Sequence, residues 1–298
     1  MSYLDKATKP RIKPPMITIV GFPAAGKSTL AALFPNPIFI QAEDSGTVFE
    51  TWPEDKQPLL LRQLPEPLAE RNVRPKQVIF DQLQEIYESE HNYKTLVIDT
   101  TTSLQALFES EVVKFEDPCK SIQDCMGGYQ KAYDVISGFH REIIQKCIKI
   151  RAKRDMSIVF LAHTEEQRRK STPESADQYT VYGIRMHKKS RDIYLSECDA
   201  VIYIKQHETI TGGETNKKGQ QIKPGRIKRS LDRVLITSAD GVIGFIDAKS
   251  RYSMPTEIDF VIENQEKPWE TVNPLLEFIP YFNQEKEVKQ NGEIENVN

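Results

Sequence analysis

Apolar positions along this chain fall into two kinds of run. Short unbroken ones, rich in β-branched residues, are MITIV (16–20), NPIFIQA (36–42), YKTLVIDT (93–100) and MSIVFLA (156–162). Runs of this length and composition predict strands buried on both faces. Between them lie longer stretches with apolar residues three or four apart: KQVIFDQLQEIYESE (76–90), TSLQALFESEVVKF (102–115) and GYQKAYDVISGFHREIIQKCIKIRAKR (128–154). That spacing predicts amphipathic helices. Strands alternating with helices predict an α/β fold with a mostly parallel central sheet covered by helices.

Beyond about residue 178 the pattern changes. YTVYGIRM, DAVIYIKQ, DRVLITS and VIGFIDA are strand-like and separated by glycine-rich or charged turns, including TGGETNKKGQ (211–220). They predict antiparallel strands added to the same sheet. WETVNPLLEFIPYF (269–282) predicts a closing helix interrupted by Pro274. The expected organisation is a flexible basic lead over 1–15, one core over 16–262, a helical segment over 263–283 and a disordered tail over 284–298.

The candidate chemistry begins at GFPAAGKST. Gly21, Gly26, Lys27 and Ser28 meet the pattern G-x-x-x-x-G-K-[ST], with a predicted strand before it and a helix pattern (28–34) after it. This is the strand–loop–helix context a phosphate-binding loop requires. Glycines let backbone N–H groups turn inward around phosphate oxygens, and the helix N-terminus adds partial positive charge. Gly21, Phe22, Pro23, Ala24, Ala25, Gly26, Lys27, Ser28 and Thr29 are the expected nucleotide-binding residues. Lys27 reaches the β- and γ-phosphates, and the Ser28 hydroxyl ligates Mg²⁺. ATP and Mg²⁺ are the expected cofactors.

Other strand ends offer the rest of a site. TLVID ends in Asp99, suited to hold Mg²⁺ directly or through water, though a carboxylate there can also cap the next helix. IQAEDS puts Glu43 and Asp44 at the C-terminal edge of the sheet, where α/β proteins bind ligands. A carboxylate there can deprotonate an attacking water or simply be solvated. VFLA delivers His163 to the same edge, as a γ-phosphate sensor or as a structural histidine.

The succession GFPAAGKST, FIQAEDS, TLVIDTTTSL, IVFLAHTE resembles the motifs of RecA-type recombinase ATPases, and most of all the phage-encoded, AAA-type, RecA-core recombination and single-strand-annealing proteins. The likeness covers 16–262. It implies Glu43 as the catalytic glutamate, Asp99 as the Mg²⁺ aspartate, and His163 where bacterial recombinases carry a glutamine. IDAKSRYSMP (246–255) resembles the family's late strand, whose two cations reach a neighbouring subunit's nucleotide. Lys249 and Arg251 would be those cations, or two solvated surface charges. The resemblance further implies single-stranded DNA as partner, self-association into a ring or filament, a single-stranded-DNA-binding protein as a further partner, and a cytoplasmic location, the host's if phage-encoded.

DNA contact is expected in TEEQRRKSTPESADQYTVYGIRMHKKSR (164–191), which lacks a core pattern until 179. Arg168, Arg169 and Lys170 form one basic cluster, and Lys188, Lys189 and Arg191 a second beside His187. Tyr179 or Tyr182 could stack on bases; Glu165, Glu166 and Glu174 dilute the charge. GRIKRSLDR (225–233), HREIIQKCIKIRAKR (140–154) and the glycine pair of MGGY (126–129) are secondary candidates. The readings in play are an ATP-hydrolysing DNA recombination protein, a small-molecule P-loop kinase with RRK as its lid, and a nucleotide-gated module of the helicase-loader kind.

Composition narrows this little. With 39% hydrophobic and 28% charged residues among 298, the chain reads as an ordinary globular protein. A formal charge of −3 predicts no overall attraction to nucleic acid, so contacts must be local. Cys119, Cys125, Cys147 and Cys198 show no CxxC pairing and are expected as reduced thiols. No apolar run approaches membrane-spanning length.

Overall fold

The computed structural model describes residues 7–61, 64–67, 71–170, 178–212, 214–215, 221–223, 226–239, 245 and 247–284. Six strands form the parallel heart of the sheet: β1 (Met16–Gly21), β2 (Pro37–Gln41), β3 (Leu59–Leu61), β4 (Thr95–Asp99), β5 (Ser157–Lys170) and, further along the chain, β7 (Ala200–Thr211). Four others pair antiparallel with it: β6 (Gln178–Ile184), β10 (Arg226–Ile236), β11 (Lys249–Ser250) and β12 (Glu257–Phe260). β8 (Glu214–Thr215) and β9 (Gln221–Lys223) make a separate small hairpin. The main order is β12-β10-β7-β1-β5-β4-β2-β3, with β11 on β7 and β6 on β5.

This is the expected α/β architecture, with one refinement. DAVIYIKQ was expected among the antiparallel additions, yet β7 runs parallel to β1, Ile17 facing Ala200 and Gly21 facing Ile204. The reason is connectivity. α5 (Lys188–Glu197) intervenes between β6 and β7 and returns the chain to the starting edge, so the next strand runs the same way.

Side chains of the parallel strands alternate between two buried clusters, as a period of two requires. Ile38, Ile40, Leu96, Ile98, Ile158 and Phe160 face the helices α2 (Pro75–Glu88), α3 (Thr101–Glu111), α4 (Lys131–Arg154) and α5. Ile17, Ile19, Phe39, Val97, Val159 and Leu161 face α1 (Lys27–Ala32) and the C-terminal segment, including α6 (Leu275–Phe278). The closing helix expected over 269–282 is broken up: Pro268–Glu270 is a 3₁₀ turn, and α6 begins only after Pro274. Proline at 274 has no N–H to donate, so a helix can start there but not pass through.

Two further expectations change. β5 does not end near 162 but runs on to Lys170, pairing with β6 from Thr164↔Ile184 to Lys170↔Gln178, so the supposed loop is largely a two-stranded ribbon. Residues 171–177, with Glu174, lie outside the described residues. Cys119 and Cys125 are paired as a disulfide across six residues, whereas Cys147 and Cys198 are free as expected and fully buried. Most of VIGFIDA, the tail beyond 284 and the first six residues also lie outside the described residues. Among the described residues, no helix is long and apolar enough to cross a membrane.

Candidate functional site

The phosphate loop is built where β1 leaves the sheet. A side chain at Gly21 would put its Cβ 2.7 Å from the carbonyl oxygen of Ile204 on β7, so only glycine lets the chain turn here. Gly26 precedes α1 with φ of 98°, and Ala24 is also left-handed at 61°. Left-handed residues in such a turn aim successive N–H groups into one concavity, the shape that holds an anion. Phe22, Pro23 and Ala24 are exposed at the loop's crest, while Ala25, Lys27 and Thr29 are buried.

Lys27 folds back over the loop. Its Nζ donates to the carbonyls of Gly21 (3.2 Å) and Phe22 (3.0 Å) and lies 3.3 Å from Nδ1 of His163. Burial lowers its pKa to about 8, against the opposing pull of Asp99 and Glu43. An ammonium held by two carbonyls and facing two carboxylates is poised to exchange those partners for phosphate oxygens.

Asp99 ends β4 and is almost fully buried. Its Oδ2 accepts from Ser28 Oγ (3.0 Å) and Ser45 Oγ (2.7 Å), whereas its Oδ1 is buried without a hydrogen-bond partner. Burial raises its pKa, the two serine hydroxyls and Lys27 opposing. A buried carboxylate with one empty oxygen, beside a serine hydroxyl, fits a hard divalent cation. Ser28 and Asp99 are the residues that would hold Mg²⁺, and such an ion neutralises phosphate charge when bound. The alternative role for Asp99, capping α3, is taken by Thr100, whose Oγ1 accepts from the Ser103 N–H at 3.2 Å.

Glu43 stands half-buried just past β2. His163 Nε2 lies 3.3 Å from its Oε1, and Thr100 (3.3 Å) and Ser103 donate hydroxyls to its Oε2. Burial alone would raise its pKa, but the hydrogen bonds from His163 and Ser103 overcome it and bring the pKa down to about 2. Asp44, the neighbouring candidate, is exposed. Thr102 Oγ1 accepts from the His163 N–H at 3.0 Å and fixes that strand end. The threonines and serines of TLVIDTTTS and the serine of AEDS therefore orient the carboxylates. Sequence reading passed over Ser45, Thr100, Thr102 and Ser103, although hydroxyls following two acidic strand ends are a usable signal.

The structure thus brings Lys27, Ser28, Glu43, Asp99 and His163 together. It also brings in Arg233 of β10, whose Nε donates to the carbonyl of Ala25 at 2.9 Å. The sequence placed Arg233 only within a basic run.

Lys249 and Arg251 are elsewhere. β11 pairs Lys249 with Val201 at the start of β7, near the end of the sheet opposite the loop. Arg251 bonds Asp199 (3.2 Å) and the Ser196 carbonyl (3.1 Å) of its own chain. The basic candidates divide too. Arg168 is exposed on the ribbon, facing Thr180 across it, and Arg169 and Lys170 continue the same strand. Lys188 and Lys189 open α5, Lys189 pairing with Asp134 at 2.5 Å. Arg191 is a correction: it is buried, with Nη1 donating to Gln167 at 3.0 Å, because its helix turns that face inward. Tyr182 is half-buried, edge-on to Phe22 at 5.3 Å and packed against Phe245. Tyr129 of MGGY is 94% exposed, in a run of left-handed residues from Met126 to Gln130.

A strand–loop–helix cradle with a buried lysine, a serine–aspartate pair and a hydrogen-bonded glutamate defines a P-loop nucleotide site. The family model described as the AAA domain matches residues 13–252, and the chain belongs to that family of P-loop ATPase domains. A search of curated proteins found no match.

Proposed function

We propose that this AAA domain is an ATPase whose turnover is coupled to single-stranded DNA, and that it acts in recombination by annealing or pairing strands. The observation that carries the proposal is the continuity of β5. His163, bonded to both Lys27 and Glu43, sits on the strand that continues without a break to Arg168 on the projecting ribbon. A second contact ties the same ribbon to the loop, through Tyr182 against Phe22. A strand and an aromatic pair joining His163 and the phosphate loop to the ribbon that carries exposed Arg168 are the means by which an occupied ribbon could alter the nucleotide site.

In this reading Glu43 is the base that takes a proton from the attacking water. The hydrogen bonds from His163 and Ser103 hold it in place and keep it ionised, while lowering its basicity in the empty site. Lys27 binds the β- and γ-phosphates, and the loop's N–H groups hold the β-phosphate. The exposed cations Arg168, Lys188 and Lys189 meet DNA phosphates, with Arg169 and Lys170 on the same strand, and Tyr129 offers a stacking face. Lys249 and Arg251, near the far end of the sheet, are remote from their own loop, so a role at the γ-phosphate requires a neighbouring subunit and hence a ring or filament.

The test is steady-state ATP hydrolysis with and without single-stranded DNA. Stimulation of severalfold or more supports the proposal. Turnover indifferent to DNA, with phosphate transferred to a small-molecule acceptor instead, would replace it with the kinase reading.

A further inference from the structure

The groups around the phosphate loop approach from two flanks. Glu43, Asp99 and His163 come from β2, β4 and β5, all on one side of β1, and Lys27 Nζ leans toward them. Arg233 comes from the other side, from β10 beyond β7. Its side chain lies across the loop: Nε donates to the Ala25 carbonyl at 2.9 Å, and a Cβ on Gly26 would meet that Nε at 2.6 Å. The register of β10 against β7 shifts between Arg229 and Arg233, an irregularity of the ladder immediately before Arg233. Gly26 is favoured by its φ of 98°, and a Cβ there would also push the Arg233 side chain off the loop.

A triphosphate is a linear chain with its γ end defined by the carboxylates and Lys27. Its α-phosphate and ribose must then leave the loop on the opposite flank, between β1 and β10. We propose that Arg233 is a nucleotide-binding residue of this chain's own site, its guanidinium engaging the α-phosphate and ribose of a nucleoside di- or triphosphate. This rests on the nucleotide reading of the loop and adds to it the side on which the nucleoside lies. Guanidinium suits the task because its planar fork can donate to phosphate and hydroxyl oxygens together while Nε keeps the loop carbonyl. A residue on this flank contributes alike to ATP and ADP, since both carry the α-phosphate. A cation serving the γ-phosphate would favour ATP alone.

The experiment is calorimetric titration of the full chain with ADP and with a slowly hydrolysed ATP analogue. Wild type, Arg233→Ala, Arg233→Lys and Lys27→Ala are compared, each with its nucleotide-free melting temperature. Arg233→Ala is expected to weaken both ligands about tenfold by similar factors, to raise the apparent KM for ATP by as much, and to lower kcat far less. Arg233→Lys should recover part of the affinity. Loss of the ATP analogue with ADP unaffected would move Arg233 to the γ side and overturn the proposal. So would Arg233→Lys as weak as Arg233→Ala with both melting temperatures lowered, which would mark Arg233 as a mere support of the loop. If Lys27→Ala binds both ligands normally, the nucleotide reading itself fails. If Lys27→Ala loses them while Arg233→Ala keeps them, only the present inference fails.

Discussion

Nζ of Lys27 and Nδ1 of His163 lie 3.3 Å apart, which joins the phosphate loop to β5. An ammonium has only donors, so a hydrogen bond across this contact makes Nδ1 the acceptor. Nε2 in turn faces Glu43 Oε1 at 3.3 Å, giving one directional chain from lysine through histidine to carboxylate.

Lys27→Ala removes the cation from the loop. ATP affinity or turnover should fall at least tenfold, about 1.4 kcal/mol, in equilibrium binding and steady-state hydrolysis. Unchanged binding and hydrolysis together would refute the site.

Glu43→Gln preserves size and most hydrogen bonds but cannot accept the proton. ATP binding should persist while hydrolysis drops about a hundredfold in single-turnover measurements. Near wild-type hydrolysis would pass the role to exposed Asp44.

The pH dependence follows from Lys27, whose pKa is lowered to about 8. Phosphate binding needs the ammonium, so ADP affinity should be full below pH 8 and fall by up to tenfold per unit above it. The effect on folding has the opposite sign. Between pH 8 and the ordinary lysine value of 10.5 the unfolded chain binds more protons, so this residue makes the empty protein more stable as pH rises. Affinity measured from pH 7 to 9.5 beside melting curves separates the two; a flat affinity profile would contradict the burial of Lys27.

On the ribbon, Arg168→Ala should weaken single-stranded DNA binding and lower the salt slope of log K by about 0.7, one phosphate contact on a single strand. Phe22→Ala, which removes the contact with Tyr182, should leave DNA affinity intact but reduce DNA stimulation of hydrolysis. Fluorescence anisotropy at several salt concentrations, paired with ATPase assays, distinguishes the two outcomes.

If Arg251 acts in a neighbour's site, turnover per subunit should rise with protein concentration. Mixing Arg251→Ala with Lys27→Ala subunits should restore part of the activity, because some interfaces regain one good copy of each. A cation supplied this way can be worth about 10³-fold in rate. Mixtures that co-assemble yet stay inactive would leave Arg251 to its contact with Asp199 within its own chain.

The sequence by itself determined the parts whose signals are local. The spacing of Gly21, Gly26, Lys27 and Ser28 specifies the loop because the turn and the helix start need those residues at those offsets. The short β-branched apolar runs before Asp99 (Leu96–Ile98) and His163 (Ile158–Ala162) indicate buried strands, because they are too short and too β-branched for a buried helix. Only the tertiary structure decided what meets across distance. Arg168 and Arg191 look alike in a basic stretch, yet one is exposed on a ribbon and the other buried against Gln167 by the phase of its helix. Lys249 lies in β11 and Arg251 just after it, and pairing with the start of β7 sets both away from the loop. Arg233, separated from the loop by some two hundred residues, reaches the Ala25 carbonyl because β10 lies only two strands from β1. Which distant residues approach depends on which strands become neighbours, and that order is settled by packing of the whole sheet rather than by any one run of residues.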